Sequence, residues 1–167
     1  QNISDAQINS QLDALNRDFR KLNADWTNTP AAFQGLVADC EVQFCLAQQD
    51  PNGNATTGIN RVSTNVTSFS TNNAVKYTAQ GGANIWDRNK YLNIWVTKDL
   101  TNGAAAYAYY PTSIAGLMYT VDGIIARYDY VGTIGAAGPY AIHVLWHEIG
   151  HYLNLQHVWG NSNAQIG

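Results

Sequence analysis

Charge is scarce in this chain. Charged residues make up 13% of its 167 residues, and the nine Lys and Arg are scattered from Arg17 to Arg127 without clustering. With a net charge of −3 and a pI near 5.7 there is no basic footprint for nucleic acid, which is excluded as a partner. No apolar run approaches the roughly 20 residues that cross a bilayer, so no membrane span is expected. The opening QNISDAQINS lacks the basic and apolar regions of a signal peptide, and the chain reads as mature and soluble. Cysteine occurs only as Cys40 and Cys45, too few for a disulfide scaffold. Their odd spacing on an expected strand aims them at opposite faces, which argues against a direct bond. Cys45, inside VQFCLA, reads either as a small buried hydrophobe or as one end of a bridge to a residue elsewhere. Methionine occurs once, at Met118, and glutamate twice, at Glu41 and Glu148, with no acidic residue after 148.

What is plentiful is apolar surface, at 46% of residues, enough for one compact domain over 1–167 with a substantial core. Asn, Thr and aromatic residues in a charge-poor chain suit a secreted, extracellular protein, and acceptor sequons at Asn2, Asn54 and Asn65 add weak support. Ile8, Leu12, Leu15, Phe19 and Leu22 recur at spacings of four and three, which predicts an amphipathic helix from Ser4 to Asp25 with Ser4 as N-cap. Strands are expected at Glu41 to Ala47 and at Ile59 to Phe69, separated by the turn-rich QQDPNGNATTG. YLNIWV, Tyr91 to Val96, reads as a central strand. Further strands are expected at Ala104 to Tyr109, stopped by Pro111, and at Asp122 to Val131. A second helix runs from Tyr140 to Leu153. Helix, strands, then helix indicate an α+β fold with one mixed sheet and two main helices packed on it.

All four histidines fall between 143 and 157, within and just before HEIGHYLNLQH. Residues four apart on a helix share a face, so His147 and His151 can meet at one metal ion. His157 supplies a third imidazole, completing a set that leaves a fourth tetrahedral position of Zn²⁺ open to water. Six residues beyond His151 a continuing helix has turned through about 600°, so the chain must leave the helix and bend back. Asn154, a residue that tolerates positive φ, stands where that bend is needed. Gly150 inside the helix costs roughly 1 kcal/mol against Ala, which suggests close packing at that point. Glu148 follows His147 directly and is expected to take a proton from the bound water and pass it to a leaving amine. His143 is the competing ligand, but 143, 147 and 151 span three turns, about 12 Å, too far for one ion. It is read as a surface or supporting residue.

HEIGHYLNLQHVWG resembles the extended zinc motif of the metzincin clan and is most similar to its pappalysin family. KYLNIWV, AYAYYP and DGIIARYDYVG extend the similarity over most of residues 40–160. The family pattern usually has Gly where this chain has Asn154. The resemblance implies a zincin upper subdomain, a twisted sheet above a cleft whose floor is the zinc helix, with His147, His151 and His157 as ligands and Glu148 as general base. It also implies that an extended peptide substrate lies along the edge strand near Ala104 to Tyr109. The clan's Met-turn follows the third histidine, whereas Met118 precedes it. The lower subdomain is therefore expected outside this chain, as the remaining C-terminal part of the same catalytic domain. Calcium accompanies many family members, with no ligand identifiable here. The expected function is a secreted zinc metalloendopeptidase. The competing reading is a catalytically silent zinc module that grips a protein partner in its groove, against which the intact Glu148 argues.

Overall fold

A computed structural model describes residues 2–114, 116–157 and 160; Val158 and Trp159, near the end of the histidine motif, lie outside them. Helix α1, Asp5–Phe19, starts where expected, with the Ser4 side chain accepting from the Gln7 N–H at 3.1 Å. It ends six residues earlier than predicted. Lys21 turns to φ 54°, and the Leu22 N–H bonds back to the Arg17 carbonyl at 2.8 Å, a closing turn that left Leu22 exposed. The buried face of α1 is Gln7, Gln11, Ala14 and Leu15, shifted from the predicted stripe toward two glutamines. Gln7 donates to the carbonyls of Tyr128 and Val131 and accepts from Ala136 N–H, while Gln11 accepts from Gly132 N–H at 2.7 Å. These side chains clamp the loop that leads into the second main helix. They satisfy backbone groups that would otherwise be buried without partners.

A one-turn helix α2, Ala31–Gln34, precedes a three-stranded sheet of β1 (Ile94–Thr97), β2 (Ala106–Ala108) and β3 (Ile124–Arg127). The strand order is β1-β3-β2, with β1 parallel and β2 antiparallel to β3. The sheet is mixed, as expected, but its centre is β3 and not YLNIWV. Ile124, Ile125 and Ala126 are wholly buried, because β3 alone has a neighbour on each side and a packed layer on each face. Two segments predicted as strands, 41–47 and 59–69, run outside the sheet. An isolated bridge joins Phe69 of the second to Leu100, three residues beyond the end of β1. Val62 and Val66 are exposed: alternation without a partner edge does not make a strand. Cys40 and Cys45 are both exposed and unbonded to each other, so the reading of Cys45 as a buried hydrophobe does not hold.

Alternation along β3 divides the core in two. Ile124 and Ala126 pack with Ile3, Leu15, Val131, Leu145 and Ile149, beneath α1 and α3 (Ile142–Tyr152). Ile125 packs on the opposite face with Phe69, Val75, Trp95 and Leu100. Among the described residues no helix is long and apolar enough to cross a membrane.

Candidate metal centre

Leu145 and Ile149 anchor α3 in the core, which fixes the rotation of the helix and sends His147 and His151 away from that core. The helix then ends in a complete reversal. Asn154 sits at φ 72°, its N–H bonds to the His151 carbonyl at 2.8 Å, and the Leu155 N–H bonds to the Gly150 carbonyl at 2.8 Å. That is the pattern of a left-handed helix cap, with Asn where Gly is commonest. A Cβ on Gly150 would meet Leu155 atoms at 3.9–4.0 Å, an ordinary contact, so the close packing expected there is not found among the described residues. Thr112 and the Asn154 side chain lie 3.2 Å apart, tying the reversal to the segment after β2.

The reversal brings a third imidazole back to the helix. His157 Nε2 lies 3.0 Å from His151 Nε2 and 3.2 Å from His147 Nε2, and one nitrogen from each of the three falls within 4.8 Å of the others. Zinc–nitrogen distances of about 2.0–2.1 Å at a tetrahedral angle separate two ligand atoms by about 3.3–3.4 Å, so the set fits a zinc ion. His151 Nδ1 is 2.8 Å from the Leu155 carbonyl; that bond takes the Nδ1 proton and leaves the Nε2 lone pair directed inward. Burial, then His151 and His157, hold His147 below the ordinary imidazole range, which favours the neutral form that a metal needs. The ring of Tyr110 packs edge-on against His151 at 5.0 Å.

Glu148 is buried beside this cluster. Burial pushes its carboxyl above the usual range, while His151 and a hydrogen bond from the Ala108 backbone pull it back. The last contact joins α3 to the sheet edge. His143 stands apart: it is exposed and accepts from Trp146 Nε1 at 3.0 Å. Of the contributing groups, Thr112, Tyr110, the Leu155 carbonyl and the Ala108 N–H escaped sequence reasoning. The first two lie some 40 residues from their partners with no periodic signal, and the others are backbone atoms that no residue type announces.

The family model of pregnancy-associated plasma protein-A, peptidase M43, matches residues 75–165, more than half of the chain and all of the histidine cluster. The chain belongs to the peptidase M43 family. It is similar to Tannerella forsythia mature mirolysin in complex with a cleaved peptide, and to mirolysin in complex with compound 9, each at 44% identity and a TM-score of 0.90 over 96% of this chain. An extracellular metalloprotease of Verticillium alfalfae is 29% identical over 94% of this chain. The chain spans 60% of the mirolysin chains and 45% of the fungal protein. The pappalysin resemblance and the α+β expectation both hold.

Proposed function

We propose that this chain carries the metal-holding part of a secreted zinc endopeptidase, with His147, His151 and His157 as ligands and Glu148 as general base. The observation that carries the reading is the convergence of three imidazole nitrogens next to a buried carboxylate that is itself bonded to β2, the sheet edge beyond which no strand lies among the described residues. When bound there, zinc supplies Lewis acidity and lowers the pKa of a water toward about 7. Glu148 accepts the proton lost by the attacking water and returns it to the departing amine.

The edge follows from hydrogen-bond register. Arg127 N–H bonds to the Ala105 carbonyl directly opposite, so in the antiparallel ladder Tyr107 also faces β3. Ala106 and Ala108 therefore turn their backbone groups to the open side, where Ala108 N–H meets Glu148. A peptide added there as a further strand would run past the carboxylate. A cleaved peptide in the related mirolysin and the extracellular fungal relative support a peptide substrate and an extracellular setting. On this reading the wall of the cleft opposite β2 comes from sequence outside these residues.

The test is Glu148→Ala in the full-length protein, with zinc content measured by mass spectrometry beside hydrolysis of a denatured protein. Zinc is expected at one equivalent in both forms, with hydrolysis in the variant reduced by about 10²–10⁴. Turnover within a few-fold of the parent would remove Glu148 from its role, and zinc without chelator-sensitive turnover in the parent would overturn the peptidase reading.

A further inference from the structure

The opposite face of the same edge holds an unusual cation. Lys76, in a 3-10 turn at Ala74–Lys76, is 1% exposed. Its ammonium lies 5.3 Å from the centroid of Trp95 on β1, 5.7 Å from Tyr107 on β2 and 5.0 Å from Tyr109 just beyond β2. It donates to the Val121 carbonyl. No ion pair joins it to a carboxylate among the described residues. Asp122 acts on it electrostatically, but one Asp122 oxygen is 3.5 Å from Arg88 and the other has no hydrogen-bond partner among those residues. Around it, Asn73 donates to the Tyr109 hydroxyl at 3.0 Å, while the Asn73 side-chain oxygen Oδ1 has no hydrogen-bond partner among those residues.

An apolar side chain of similar volume would fill this space without the desolvation cost of an ammonium. What the charge adds is a directed attraction for aromatic faces, and two of the three rings belong to the strip of chain that forms the free edge. Side chains on a strand alternate, so Ala106 and Ala108 lean toward α3 while Tyr107 leans toward Lys76. Holding the tyrosines therefore sets the height at which Ala106 and Ala108 meet a peptide. We propose that Lys76 is a positioning residue for peptide binding, gripping Tyr107 and Tyr109 from behind so that the outer edge of β2 is held ready for an added strand. This rests on the reading that substrate lies along β2.

Burial lowers the Lys76 pKa to about 8, against a smaller opposing pull from Asp122, so the grip should weaken as the amine loses its proton. The other charged and titratable groups facing it are Asp122 ahead of β3, with Arg88 against it, and Tyr107 and Tyr109. Carboxylates and guanidinium groups do not ordinarily titrate between about pH 7 and pH 9.5, and burial pushes Tyr107 upward, out of that window.

The experiment measures the Kd of an extended, uncharged peptide for the full-length, zinc-loaded Glu148→Ala protein, which reads binding without turnover. Lys76→Met in that background is expected to weaken binding about tenfold, the scale of one desolvated cation–π contact, with zinc content unchanged. With Lys76 present, Kd should rise about tenfold from about pH 7 to about pH 9.5, whereas Lys76→Arg stays tight throughout because a guanidinium keeps its charge. Peptide bound by Lys76→Met as tightly as by its parent would overturn the proposal. So would equal pH dependence in the Lys and Arg forms, a comparison that decides the matter even if Lys76→Met fails to fold. No binding by the Glu148→Ala protein itself would refute the edge reading instead, and the role of Lys76 would fall with it.

Discussion

The reversal at Asn154 makes the sharpest test of how α3 delivers its third histidine. At φ 72° a residue with an ordinary Cβ is strained by about 1–2 kcal/mol relative to right-handed backbone; Gly escapes this strain and Asn is partly relieved of it. Asn154 also bonds to Thr112 at 3.2 Å on the surface, a contact whose net contribution is at the low end of about 0.5–1.5 kcal/mol. Asn154→Gly removes the bond but relieves the backbone, so the two changes should nearly cancel. Asn154→Ala removes the bond and keeps the strain. If the reversal holds His157 in place, that strain opposes metal binding, and 1–2 kcal/mol is a factor of about 5–30 in affinity. Competition titration of zinc with a chelating dye, on the full-length protein at fixed pH, reads this directly. The expected order of affinity is Asn close to Gly, then Ala, with Val weakest because a β-branched side chain suffers most at positive φ. A Gly variant that binds zinc markedly worse than the Ala variant would refute the reasoning, since it would mean that the Thr112 contact, and not the backbone, holds the reversal.

Two further outcomes follow from the same geometry. Gly150→Ala should raise stability by about 0.5–1 kcal/mol, because its new methyl meets Leu155 only at 3.9–4.0 Å; a lower melting temperature of the metal-free protein would contradict this. Lys76 has a folded pKa lowered to about 8, so the unfolded chain binds more protons between that value and about 10.5, and stability must rise with pH there. The gain is about 2 kcal/mol between about pH 8 and pH 10. It should appear as a rising denaturation midpoint in urea and be absent from Lys76→Met, whereas a midpoint that falls equally in both proteins would contradict the buried charge.

The histidine cluster was legible because a helix turns a spacing of four into a shared face, and because only a left-handed residue can reverse the chain in time for His157. The sequence met both conditions, the first through His147 and His151 and the second through Asn154. Helix α1 was legible for the same local reason, through Ser4 as a cap and an apolar stripe that contains Leu15. Strand assignments at 41–47 and 59–69 failed because β-character is completed by a partner edge, and no local pattern reports whether one is present.

By itself, then, the amino-acid order determined which histidines converge in the candidate metal centre and which carboxylate stands beside them, since both depend on contacts within about ten residues. Only the tertiary structure decided that β3 is the centre of the sheet, that Gln7 and Gln11 clamp the approach to α3, that Ala108 meets Glu148, and that Lys76 lies beneath Tyr107 and Tyr109. These contacts join segments tens of residues apart, or more than a hundred, and they use backbone atoms and single side chains that repeat with no period. Their positions are settled by how the layers pack, which is a property of the whole chain.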